Sequence, residues 1–437
     1  MSAELATILL FGSMVLFLIL GLPFVFTLGG VAMLGTILLW GPQALPMLAS
    51  RAFGNASSFT MVAGPLFVFM AIMLQRAGIA EALFSAIHRW MGPVRGGLAI
   101  GTVIICTLFA AMSGISAVGT VTMGLIALPE MLNRKYSKSI ALGCIAAGGA
   151  LGQLIPPSIL LIVYALFAPE SVGALYLGGI IPGLILSSLF ILYIIIRCFF
   201  QPELGPPLPL DERVSFKGKI ISLKGVVLPI LTVVAVLGSM FTGFASVTEA
   251  AAVGAAGSVI SAAIYRRLNW QVLKESLIQT VGLMGMVMWI IFGASAFTSL
   301  YGAIGATKMV QELMMALPGG KWGVILAINL ILVVMGCFLD PYGILMITVP
   351  IFVPVIKALG FSPVWFGVIF VMNMEMGFLT PPFGYNLFYL KTVAPEGVTM
   401  ADIYKSIWAF VVLQAIGLAI VMIFPDLVLW LPSQMRF

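Results

Sequence analysis

Twelve runs of apolar residues follow one another along this chain, at 5–20, 24–40, 60–75, 97–132, 139–168, 174–196, 226–244, 248–265, 280–301, 322–357, 363–390 and 403–424. A helix needs about 20 such residues to cross the hydrocarbon layer of a bilayer. A water-soluble surface would also need far more charge than is present. Of 437 residues, 62% are hydrophobic and only 8% charged. The runs therefore predict an all-α polytopic membrane protein.

Two runs, 97–132 and 322–357, are too long for one crossing, and each has a polar or helix-breaking centre: "MSGISAVG" (112–119) and "FLDPYG" (338–343). A re-entrant hairpin, entering to mid-depth and leaving on the same side, accounts for both. Two further runs carry adjacent prolines, in "GQLIPPSILLIVYALFAPES" (152–171) and "GFLTPPFGYNLFYLKTVAPEG" (377–397). Proline cannot donate a backbone hydrogen bond, so each pair predicts a broken helix with unpaired carbonyls nearby.

These features recur in the same order, which predicts an internal repeat. Gly78, Gly92 and Gly96 align with Gly305, Gly319 and Gly323, and "PPSILLIVYALFAPE" (156–170) aligns with "PPFGYNLFYLKTVAPE" (381–396). The first repeat covers 1–200: scaffold helices within 5–75, an amphipathic arm 78–91, hairpin 97–132, broken helix 139–168 and span 174–196. A polar linker, 201–225, leads to the second repeat, 226–437. It holds scaffold helices 226–301, arm 305–317, hairpin 322–357, broken helix 363–390 and span 403–424. Each repeat makes an odd number of crossings, so the second is inverted. With both termini outside, sixteen Lys and Arg residues fall inside, Arg76, Arg213 and Arg267 among them. Only Arg51, Lys308, Lys321, Lys357 and Arg436 fall outside, as the positive-inside rule requires.

Other classes lack support. The net charge of +6 reports topology, and no basic patch interleaved with aromatics points to nucleic acid. The start, "MSAELATILLFGSMVLFLILGLPF", has no basic stretch or cleavage site and reads as a first span rather than a signal peptide. The four cysteines lie within apolar runs without a CxxC pair, which argues against disulfides and transition metals. One histidine, no HExxH and no nucleophile–base spacing leave no enzyme chemistry. No organic cofactor is expected, and two inverted hairpins fit alternating access better than a continuous channel.

Freed carbonyls and hydroxyls are hard oxygen ligands suited to Na⁺, while half-helix N-termini offer N–H groups to an anion. The hairpin tips and breaks therefore predict two Na⁺ sites flanking an anionic substrate. The first comprises Ser113, Gly114 and Ser116 facing Gly152, Pro156 and Ser158. The second comprises Asp340 and Gly343 facing Gly377, Thr380 and Gly384. Ser116, Asp340 and Asn386 are the candidate substrate contacts. Plainer roles compete: back-bonding for Ser113 and Ser116, helix capping for Asp340, and structural hydrogen bonds for Glu249 and Glu375. A local ion pair between Glu130 and Arg134 and an interfacial His88 are the default expectations.

"SGISAVGTV", "GQLIPPS", "VTEAAAVG", "CFLDPYGILMITVP" and "MGFLTPPFGYNLF" resemble the signature stretches of the large membrane subunit of TRAP (tripartite ATP-independent periplasmic) transporters, in order over about residues 5–425. The resemblance implies a Na⁺-driven elevator of the ion transporter superfamily in the bacterial inner membrane. It implies a small membrane subunit, expected as a separate chain, and a periplasmic binding protein that delivers an organic acid. Ile115 departs from a serine common in relatives, and Tyr342-Gly343 from smaller residues. The alternative is a stand-alone Na⁺/anion symporter of the same superfamily, without a binding protein.

Overall fold

A computed structural model describes residues 2–209 and 215–435. Arg213, Arg436 and the two terminal residues, on which part of the orientation argument rests, lie outside them.

The described residues are helical throughout, without strands. In the first half the order is α1 (Ala3–Ile19), α2 (Phe24–Trp40), α3 (Leu45–Ala56), α4 (Ala63–Arg76), α5 (Ile79–Met91), α6 (Gly97–Ser113), α7 (Ser116–Asn133), α8 (Lys138–Ala150), α9 (Ile159–Phe167) and α10 (Val172–Phe200). In the second it is α11 (Phe216–Ser222), α12 (Val227–Phe241), α13 (Val247–Ile264), α14 (Trp270–Ala303), α15 (Ala306–Met315), α16 (Gly320–Gly336), α17 (Pro341–Ala358), α18 (Pro363–Leu379), α19 (Tyr385–Val393), α20 (Met400–Ile423) and α21 (Asp426–Ser433). Six helical stretches, 59–76, 172–200, 247–264, 270–303, 341–358 and 400–423, are long and apolar enough to cross a membrane by length and composition.

Each overlong run is a helix pair, and the two turns use different chemistry. Between α6 and α7, Gly114 takes φ +62°, a left-handed conformation that glycine adopts without penalty. Between α16 and α17, Cys337, Phe338 and Leu339 tighten the end of α16 through bonds to Val333, Val334 and Met335. Asp340 then caps α17, whose first residue is Pro341, where a missing N–H costs nothing.

Several elements depart from the sequence expectation. The amphipathic α3 is additional, because its polar "ASRAFGNA" falls below any hydropathy threshold. Helix α14 begins at Trp270 rather than 280, since "WQVLKESLIQ" continues the helix beyond its apolar part. Helix α21 follows α20 directly. The linker is more than a tether. Gly96 donates to Gly205 O at 2.8 Å, Leu208 to Gly92 O at 2.7 Å and Ser137 to Leu204 O at 3.1 Å. Its later part forms α11, where Lys219 O accepts from Trp90 Nε1 at 3.1 Å.

Helix α8 is the hub of the arrangement. Its sequence KSIALGCIAAGGA is small-residue rich, and α6, α7 and α20 all pack on it. An alanine at Gly143 would press on Phe410 of α20, and one at Gly148 on Cys106 of α6. Close backbone approach of this kind is how helices pack where apolar burial gives little drive. On the other side α4 pairs with α13, and α2 with α14.

Candidate functional site

Both Pro-Pro bonds are cis, and each lies just beyond the end of a half-helix, after α8 for Pro156-Pro157 and after α18 for Pro381-Pro382. The first hairpin tip lies directly on the first break. A Cβ at Gly114 would come 2.0 Å from Pro157 O, and one at Gly152 within 3.0–3.2 Å of the Ile115 carbonyl and Ser116 N. Ser113, Ser116, Gly152, Pro156 and Ser158 are buried there with Gly114.

The hydroxyls of this cluster are partly committed. Ser158 caps α9 by accepting from Leu161 N at 3.3 Å and donates to Gln153 O, while Tyr176 donates to Ser158 O at 3.3 Å. Ser113 reaches Ile115 O only at 3.5 Å, a weak contact. Two neighbours went unnoticed in the sequence. Gln153 Oε1 is buried without a donor, and so is the Thr120 hydroxyl, one turn along α7 from Ser116. Most other buried helix threonines, such as Thr102 and Thr348, donate to the carbonyl four residues back.

Asn386 belongs to both breaks. It starts from the second, in α19, yet its side chain lies in the first cluster. Ser116 donates to Asn386 Oδ1, and Asn386 Nδ2 donates to Ala146 O of α8 at 3.0 Å. The expected substrate pair Ser116 and Asn386 is thus in direct contact. No spacing rule could reveal this, because 270 residues separate the two.

The second tip also meets its break, with the expected Gly377 set against a tip residue other than those expected. A Cβ on Gly377 would lie 2.7 Å from the Gly336 backbone, and Phe338 meets Phe383 edge-on at 6.0 Å. Gly336 is the contact that sequence missed, hidden in the apolar string VVMGCF. Gly384 turns at φ +53° beside Thr380 O, while Thr380 donates to Met376 O at 2.7 Å. Gly343 does not face Gly377 through its α-carbon: a Cβ there would strike the Phe24 ring of α2 at 2.0 Å. The small residue makes room for the aromatic ring. Asp340 Oδ2 accepts from Tyr342 N at 3.0 Å and Gly343 N at 3.3 Å, so capping is part of its role.

The remaining carboxylates divide plainly. Glu249 forms a capping box with Ser246 at the start of α13. Glu130 pairs with Arg134 at 2.5 Å and lies 3.9 Å from half-buried His88. Glu375 is fully buried, and Gln414 Nε2 of α20 donates to its Oε2 at 2.7 Å. Among the described residues no group of three or more His, Cys, Asp or Glu converges.

Two hairpin tips closing on two proline-broken helices, inside an all-helical membrane bundle, define a membrane transporter. Residues 11–427 match the family model described as the tripartite ATP-independent periplasmic transporter, DctM component. The C4-dicarboxylate TRAP transporter large permease protein DctM of Pseudomonas aeruginosa is 33% identical over 401 residues, 91% of this chain and 92% of that protein. The sialic acid TRAP transporter large permease protein SiaM of Vibrio cholerae is 30% identical, across 94% and 95% of the two chains. The solved structure of the Neisseria gonorrhoeae transporter MtrF superposes with a TM-score of 0.61 over 89% of this chain and 85% of its own, at 15% identity, a likeness of fold. The chain belongs to the DctM family of large TRAP transporter permeases. It is a transporter component, not an enzyme.

Proposed function

We propose that the chain imports an organic acid, driven by Na⁺ and without ATP, after delivery by a periplasmic binding protein and together with a small membrane subunit. The observation that carries this is the pair of tip-and-break clusters. At each, the carboxyl ends of half-helices bring carbonyls, and the N-terminal ends bring N–H groups, to one place. The first Na⁺ would take oxygens of Ser113, Gly114, Ser116, Gly152, Pro156 and Ser158. The second would take those of Gly336, Gly377, Thr380 and Gly384, with Asp340 close by. The substrate carboxylate would lie between them, near Ser116 and Asn386.

In the same reading α6–α9 and α16–α19 move as an elevator past a scaffold that includes α1–α4 and α12–α14. The two groups belong to inverted repeats, the hairpins re-enter from opposite sides, and both termini face the periplasm of a bacterial inner membrane. Relatives carry several acids, and a C4-dicarboxylate, named for the Pseudomonas protein, heads the set of probes.

The test is uptake into proteoliposomes holding this permease, its small subunit and its binding protein, with succinate first. Uptake should require an inward Na⁺ gradient and the binding protein. Uptake with the permease alone would favour a stand-alone symporter. Within this assay Asp340→Asn separates cap from charge. Asparagine caps as well as aspartate, so the helix start survives. The lost charge should raise the Na⁺ concentration for half-maximal uptake about tenfold, the equivalent of ~1.4 kcal/mol. An unchanged Na⁺ dependence would reduce Asp340 to a cap.

A further inference from the structure

A cavity of about 580 Å³ opens between scaffold and hairpin, beyond the clusters described above. Gln75 and Arg76 close the end of α4, Glu81 projects from α5, Thr122 comes from α7, and Arg267 and Gln279 come from the α13–α14 region. Six of its nine lining residues are polar or charged, in a chain only 8% charged, so this wall is not built for lipid. Thr122 lies six residues beyond Ser116 on α7, roughly 9 Å at the helical rise. Through Thr122 the cavity borders the same helix that begins at the first hairpin tip. One hydrogen bond crosses it, from Gln75 Nε2 to Thr122 Oγ1 at 3.0 Å.

Arg76 is held in a particular way. Its Nη1 pairs with Glu275 Oε2, its Nη2 reaches Gln279 Oε1 at 3.3 Å, and its Nε is buried without a partner. Glu275 has a second donor of its own, Gln271 Nε2 at 3.0 Å, and keeps that donor if Arg76 leaves. An arginine fork binds a carboxylate best through two parallel N–H groups. Here one carboxylate takes a single Nη, and the Nε edge stays unused. Arg267 at the rim makes no ion pair within 4 Å among the described residues.

We propose that this cavity is a receiving site for the carboxylate of the transported acid, in which Arg76 exchanges Glu275 for the substrate and Arg267 draws the anion through the rim. Glu275 is then an internal stand-in for the substrate's carboxylate. The proposal rests on the reading of the chain as an organic-anion carrier.

Opposite effects of removing the two partners are its signature. The four native cysteines are buried, so Leu125→Cys supplies a single accessible thiol at the cavity, with Gln279→Cys as a second reporter should the first fail to assemble. Permease with its small subunit, in inside-out membrane vesicles, is labelled with the anionic reagent sulfonatoethyl methanethiosulfonate and its cationic trimethylammonium counterpart. Adding Glu275→Gln should raise the anionic-to-cationic rate ratio roughly threefold, and adding Arg76→Gln should lower it by as much, the effect of one partly screened charge. The anionic succinate should protect the thiol in Glu275→Gln and not in Arg76→Gln. A plain structural salt bridge predicts that both variants loosen the site alike. Shifts in the same direction, no shift, or thiols that do not react at either position would overturn the proposal. The labelling ratio needs no transport, so a failure of Na⁺-driven uptake in the wild type would reject the carrier reading separately.

Discussion

Na⁺-driven uptake should fall by about 100-fold when Gly377 is replaced by alanine, because the second tip could no longer close on its break. The added methyl would sit 2.7 Å from the backbone of Gly336. Backbone cannot swing aside as a flexible side chain does, so α16 or α18 must shift. Overpacking of this kind costs up to ~3 kcal/mol, which corresponds to about two decades in an equilibrium or rate. The measurement is succinate uptake against Na⁺ concentration, with the melting temperature of the assembled permease as a check on folding. Gly282→Ala in α14 is the matched control, since nothing lies within 4 Å of the methyl it adds. Wild-type uptake in Gly377→Ala would show that this close approach is dispensable.

The second large effect concerns Asn386. Asn386→Leu removes the acceptor for the buried Ser116 hydroxyl and the second donor to Ala146 O, which keeps its own helical partner within α8. One unpaired buried hydroxyl costs ~1–3 kcal/mol, so uptake should fall sharply and the melting temperature should drop. Ser116→Ala should be milder, since Asn386 keeps its bond to Ala146 O. A double-mutant cycle should return a coupling of about 1–2 kcal/mol between Ser116 and Asn386. Additive effects would mean that the two clusters are not joined through this pair.

What the sequence made legible is what hydropathy and proline chemistry control. The runs 97–132 and 322–357 match the helix pairs α6–α7 and α16–α17 to within two residues, and the Pro-Pro strings lie just beyond the ends of α8 and α18. Elements with weak or mixed hydropathy escaped: α3 with its Arg51, the polar first turns of α14, and the short α21. At the sites, residue types were readable but pairings were not. Gly343 looks like any tip glycine until Phe24, more than 300 positions away, occupies its missing side chain. Gly336 has no local signal at all, being one small residue in an apolar stretch. Arg76 reads only as a topological charge until α14 is folded against it.

The two breaks differ in one respect with a consequence for timing. Residues 151–160, around the first, are buried without exception, whereas Pro382 and Phe383 at the second are exposed. On the proposed reading, a cation in the first cluster has no water with which to rebuild its hydration shell, while one in the second does. Loss from the two would then be sequential: the second ion sets off at once, and the first waits for the protein to rearrange. Such a carrier keeps a queue, and its slowest departure is a property of the sealed break rather than of the acid it carries.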